Sequence, residues 1–199
     1  MKLLMLSILL ISSSSFAQKE FKGDHNDGYR CIRKAKKHYG KGNFKKSLSF
    51  LDKADQMDYG FCGNAWMDAS EGINSLRSMN YIKLGNYHLA RNYLDSIISF
   101  TNPSKFDSLR WVSYQLEIGA DSLSKIIDTS LENIVFVDSG FYQFIFIPLP
   151  VEEGFAKFTF NPRNYQKKGD MNDSIASRKE YWISEFKKST LYFMIKEGS

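Results

Sequence analysis

One short phrase occurs twice in this chain, Gly42-Asn43-Phe44 and Gly85-Asn86-Tyr87. Each copy separates two stretches with apolar residues at helical spacing. Tyr29, Ile32, Ala35 or Lys36, and Tyr39 precede the first copy; Phe44, Leu48, Leu51 and Ala54 or Asp55 follow it. Ile73, Leu76, Met79 or Asn80, and Lys83-Leu84 precede the second; Tyr87, Ala90, Leu94, Ile97 and Ile98 follow, until Pro103. Glycine ends a helix in the left-handed conformation without a Cβ clash. The doubled phrase therefore predicts two antiparallel helix hairpins and puts the first half of the chain in a stacked-helix class.

Gly119 lies 34 residues beyond Gly85. Lys105 to Leu131 reads as a third, degenerate helix pair built on Phe106, Leu109, Val112, Leu116, Leu123, Ile126 and Ile127. After Glu132 the pattern changes. Ile134–Val137, Phe141–Leu149 and Phe155–Phe160 are rich in aromatic and β-branched residues, with turn-like Asp138-Ser139-Gly140 and Glu152-Glu153-Gly154 between them. Ala156, Phe158 and Phe160 alternate with Lys157 and Thr159, as in a strand with one wet face. Phe141 to Ile147 is apolar on both faces, as in a central strand, and Pro148 and Pro150 end it. Arg163 to Asp173 reads as a polar loop. Ser177 and Glu180 form a capping box for a helix over Ser177–Lys188 that buries Trp182, Ile183 and Phe186. Leu191–Ile195 reads as a last strand. The expected class is α+β: a helical region over 18–132, then a small antiparallel sheet with one helix over 133–199, packed on the helices.

The second hairpin resembles a tetratricopeptide (TPR) repeat. Tyr81 in its first helix, Gly85 at the turn, and Tyr87 and Ala90 entering its second helix carry the likeness, with Tyr93-Leu94, Ile97-Ile98 and Asn102-Pro103 after them. The first hairpin matches at Ala35, Gly42, Phe44, Leu51 and Ala54. The turn glycines are 43 residues apart, against a family period of about 34, and the excess fits a loop over Asp58–Ala65. Ser47 stands where the family usually has Ala, and Lys34 and Arg77 stand where it usually has Leu. After Gly119, Asp121, Ser124 and Asp128 replace the expected aromatic, Ala and aromatic. The resemblance covers about residues 28–103, and 104–131 weakly. It implies a groove on the inner face of the first helix of each hairpin that takes a protein or peptide ligand. By that resemblance the contact residues are Tyr29, Ile32, Lys36 and Tyr39 in the first unit, and Met79, Ile82 and Lys83 in the second.

The N-terminus reads as a secretory leader. Met1-Lys2 supplies positive charge, Leu3–Ile11 is an apolar run of nine residues, and Ser15-Phe16-Ala17 offers small residues for cleavage before Gln18. The run is shorter than the roughly 20 residues a membrane span needs. The expectation is export to the periplasm or beyond, with no transmembrane segment. In an oxidising compartment Cys31 and Cys62 are a candidate disulfide, which would stabilise by roughly 3–4 kcal/mol in the chain-entropy model. The alternative is two separate thiols.

The formal charge is +5, and its excess is local: Lys19 to Lys46 holds ten Lys or Arg against three Asp or Glu. Arg30, Arg33, Lys34, Lys36, Lys37, Lys41, Lys45 and Lys46 could meet an acidic protein or an anionic surface; a solvated helix face is the plainer reading. Nucleic acid is not an expected partner, because the aromatics are periodic core residues and export removes the usual target. His25, His38 and His88 lack the neighbours a zinc site needs, and no nucleophile elbow or phosphate loop occurs. Glu152 and Glu153 read as a solvated turn pair rather than an acid/base dyad. No cofactor or metal is expected. The sequence thus leads to an exported, non-enzymatic protein-interaction module. The alternatives are an immunity-type inhibitor acting through the β tail, a hydrolase with its site between the two parts, and a structural envelope component.

Overall fold

The computed structural model describes residues 21–97, 104–138, 143–160 and 175–197; the expected leader, and the expected polar loop at 163–173, lie outside them. Three helix pairs come first: α1 (His25–Gly40) with α2 (Phe44–Ala54), α3 (Gly63–Lys83) with α4 (Tyr87–Asp95), and α5 (Ser104–Ile118) with α6 (Ala120–Ser130). The two copies of the phrase turn the chain in the same way. Asn43 N–H donates to the His38 carbonyl and Gly42 N–H to that of Tyr39; Asn86 and Gly85 repeat this with Tyr81 and Ile82, all at 2.9–3.1 Å. This is the helix stop that needs a left-handed residue, and Gly42 and Gly85 supply it with φ of 72° and 74°. Gly119 separates the third pair, in line with the spacing.

The pairs stack in series. α2 packs on α3 and α4 on α5, while the first helices touch one another, α1 on α3 and α3 on α5. α3 is therefore enclosed on several sides, which is why Ala69, Ile73, Leu76, Ser78, Asn80 and Ile82 are all buried along it. Residues beyond the 34-residue period go into the length of α3 as well as into the loop before it, since α3 starts at Gly63. Tyr59 of that loop is buried and donates to the Ala54 carbonyl (2.9 Å). Its ring lies against the backbone of Gly28, where a Cβ would come within 2.5 Å of the hydroxyl.

Ser47 accounts for the departure from Ala at its position. It is fully buried, donates to the Ala35 carbonyl (2.9 Å) and accepts from Asn80 Nδ2 (3.0 Å), so one small side chain joins α1, α2 and α3. Lys34, the departure from Leu, is exposed and lies over the Phe50 ring. Cys31 and Cys62 are free thiols in the structure, not a bridge. Cys31 packs half-buried against the first core, whereas Cys62 is exposed just before α3.

Two apolar cores result. One gathers Ile32, Ala35, Leu51, Ala54, Tyr59, Ala69, Ile73 and Leu76 from α1, α2, α3 and the loop. The other draws Trp111 and Tyr114 from α5 and Leu123 and Ile127 from α6 together with the sheet and the last helices. The third helix pair thus shares its core with the sheet.

The sheet is antiparallel, in the order β1 (Val135–Asp138), β2 (Gln143–Pro148), β3 (Phe155–Phe160). β2 is central, as its two apolar faces predict. Phe136 pairs with Ile145, and Ile145 with Phe158, so these share the inner face with Ile147, Ala156 and Phe160. Phe160 meets Trp182 and Phe186 of α7 (Ile175–Lys187) edge-on. α7 starts two residues before Ser177, so the Ser177–Glu180 pair falls inside the helix rather than at its start.

The expected last strand is a helix, α8 (Thr190–Glu197), so the tail carries two helices and not one. Leu191–Ile195 is an unbroken apolar run, and such a run has no period of its own. Ser189 decides the matter locally: its hydroxyl oxygen accepts the Tyr192 N–H (3.1 Å) and caps the helix. Ile195 then enters the second core, and Lys196 reaches Asp128 on α6. No helix among the described residues is long and apolar enough to cross a membrane.

Candidate protein-binding surfaces

The residues expected to line a groove divide into two groups. Ile32 and Ile82 are buried. Tyr29 and Tyr39 are half-buried, Tyr29 edge-on against Tyr59 and Tyr39 against Phe44, and Met79 packs on the first core. Lys36 and Lys83 alone are exposed. The apolar members of the set pack within the helix stack, and the two lysines stand on its surface.

The end of the stack where both turns lie is strongly basic. Lys36, Lys37, Lys41, Lys45, Lys46 and Lys83 are exposed and form no ion pair with the described residues. A shallow depression of about 420 Å³ opens there, lined by Gly42, Asn43, Phe44, Lys45, Lys46 and Leu84. Its walls thus come from the first turn and from the end of α3. His38 registers the field: burial, then Lys46, Lys41 and Lys37, hold its imidazole below its ordinary proton affinity. Lys45 and Lys46 also sit in the first turn of α2, where the helix dipole is already positive.

Charged side chains converge elsewhere too, at the junction of α4, α5 and the β2–β3 turn. Arg91 is 2% exposed. Its Nε and Nη2 grip Glu153 bidentately (2.6 and 2.7 Å), its Nη1 meets Glu117 (2.6 Å), and its guanidinium stacks 4.5 Å over Tyr114. Burial would raise the Glu153 carboxyl, but the bonds from Arg91, its own backbone amide, the arginine charge and His88 outweigh burial and hold it low. Glu153 is therefore a half-buried ion-pair partner, not a solvated turn carboxylate; Glu152 beside it stays solvated.

Arg110, also buried, bonds Asp95 (2.8 Å), Asp107 (3.0 Å) and the Leu94 carbonyl. Burial pushes Asp107 up to about 6, against the pull of Arg110 and the Thr159 amide. Asp107 and the Tyr114 hydroxyl accept the outward N–H groups of Thr159 and Lys157, which closes the β3 edge. Each group in this cluster is committed to another, so its chemistry is that of a clamp. Arg91 stands inside the Ala90–Leu94 apolar stripe, and an arginine in that place demands a counter-charge. The sequence carries that demand without naming Glu153, 62 residues away.

The outer face of the sheet is apolar. Val135 (55% exposed), Val137 and Phe155 lie open on it, next to half-buried Phe144 and Phe146. Phe146 meets Phe155 edge-on, and Lys157 Nζ lies 4.8 Å over the Phe144 ring. Among the described residues no group of His, Cys, Asp and Glu is arranged to hold a metal ion. No family model, no curated protein and no solved structure matches this chain.

Proposed function

We propose that this protein is an exported, non-enzymatic TPR-like module that binds a protein or peptide partner through its helical hairpins, and that the partner surface is acidic. The observation that supports it most is an imbalance of charge. Every buried arginine in the described residues has a carboxylate partner, whereas six exposed lysines at the turn end of the stack have none. Unneutralised charge gathered at one end of a molecule steers and selects a partner of opposite sign. The leader-like residues 1–17 support export. In vivo crosslinking of the cell envelope followed by mass spectrometry tests the reading. Capture of a partner should fall when Lys36→Glu and Lys83→Glu are combined, and unchanged capture would sink the groove.

A second reading has its own support. An open apolar sheet face of Val135, Val137 and Phe155 suits an inhibitor or immunity-type protein that caps an enzyme through its β tail. Loss of capture on Val137→Lys, with capture retained by the lysine reversals, would favour that class.

A further inference from the structure

The depression between the first turn and the end of α3 carries more than a general preference for acidic partners. We propose that it is the seat for an extended acidic peptide segment with one apolar side chain, a proposal that rests on the binding-module reading above. Three observations meet there. The depression has an apolar lining, half-buried Phe44 and 41% exposed Leu84, contributed by two different hairpins. Lys45 and Lys46 line it and Lys41 directly precedes its Gly42; all three are exposed and without a carboxylate partner among the described residues. Asp52 on α2 and Asp55 at its C-cap are engaged by Arg77 rather than by these lysines.

The shape of the surface selects a peptide over other anions. A helix that lies on a bilayer presents an apolar face to the lipid, but the apolar stripe of α1, Ile32 and Ala35, is inside the first core. Single-stranded nucleic acid needs open aromatic platforms, and here Phe44 is packed on Tyr39 while Phe50 is stacked on His38. A segment of alternating carboxylates and one leucine-sized side chain fits what remains. The carboxylates meet the three lysines, and the apolar group covers Leu84 and Phe44.

Fluorescence anisotropy of the purified protein with a labelled glutamate-rich peptide bearing one central leucine tests this. Binding should weaken steeply with added salt. It should fall on the order of tenfold or more when Lys41→Glu, Lys45→Glu and Lys46→Glu are combined. Leu84→Ser, and replacement of the peptide leucine by glycine, should each cost a few-fold and should not add, because they remove the same contact. Far-UV circular dichroism of each variant verifies that the helices are kept. Equal affinity of the triple variant, or binding to phosphatidylglycerol vesicles and not to the peptide, overturns the proposal. If the envelope partner is lost with the Lys36 and Lys83 reversals but kept by the triple variant, the module stands and this seat falls.

Discussion

The two junctions between successive helix pairs solve one problem with different materials. At each, an arginine lies in the interface where an apolar residue would do. Arg77, from α3, reaches back to Asp52 on α2 and Asp55 at its C-cap and lies over the Tyr93 ring, but its partners are 62% and 55% exposed. Arg91 and Arg110 face less exposed carboxylates, Glu153 at 15% and Glu117 at 24% for the one, Asp107 at 10% and Asp95 at 38% for the other. Arg77 Nε also lacks a partner, while Arg91 uses all three of its nitrogens. The first junction joins hairpin to hairpin, with Ser47 and Asn80 beside it. The second must join a helix stack to a sheet of a different period, and directional bonds fix that contact where matching ridges cannot. Buried charge is thus concentrated where the two architectures meet.

Removing one carboxylate from each junction exposes the difference. Glu153→Ala should lower stability by about 3 kcal/mol or more, because it strands a desolvated guanidinium with only Glu117. Asp52→Ala should cost less than about 1 kcal/mol, because Asp52 is itself 62% exposed and Asp55 remains to pair with Arg77. Urea denaturation of both variants checks this. Equal losses would mean that exposure does not separate the junctions.

Asp107 sharpens the contrast through pH. Its folded carboxyl titrates near 6, against 3.8 for the free group. Between those values the folded state binds more proton than the unfolded state. Stability from this group therefore falls as pH rises from about 4 to about 6, by up to about 3 kcal/mol, and is flat above. Glu153 works in the other direction: its folded carboxyl is held low, so its contribution is present at neutral pH and is lost as pH falls through that lowered value. Asp107→Asn should remove the downward limb and leave the acid-side loss. Denaturation midpoints from pH 3 to 8 for both proteins test it; an unchanged limb between pH 4 and 6 would exclude Asp107 as its source.

What the sequence told and withheld follows the same division. The hairpin turns were legible because Gly42, Gly85 and Gly119 mark positions that only a left-handed residue fills readily, and the central place of β2 because its residues are apolar on both faces. Local rules reached no further than that. Leu191–Ile195 reads as a strand in the sequence because a run without polar interruptions carries no period, and the serine before it sets the helix. The TPR resemblance points Tyr29, Ile32, Tyr39, Met79 and Ile82 to a groove, but a resemblance in pattern does not say what covers each residue, and Ile32 and Ile82 are buried. Arg91 and Glu153 could not be paired, since a contact across 62 residues leaves no local trace. For that reason Glu153 reads as solvated in the sequence, and Lys36 and Lys83 stand on the surface without a carboxylate partner among the described residues.

The smallest expected effect returns to the doubled phrase. Both asparagines occupy the N-cap of the following helix, yet only one caps. Asn86 Oδ1 accepts the Leu89 N–H at 3.2 Å, whereas the Asn43 side chain makes no capping bond. Asn86→Ala should therefore cost about 1 kcal/mol, and Asn43→Ala much less. Thermal denaturation of the two variants checks it. A similar loss at both sites would mean that Asn43 caps α2 in solution, and the first turn would then be a second copy of a structural device. A loss confined to Asn86 leaves the first turn with an asparagine, two lysines and a depression that its own fold does not use. The asparagine then stabilises one copy and is spare in the other, and that asymmetry is what makes the first turn the better place to look for a ligand.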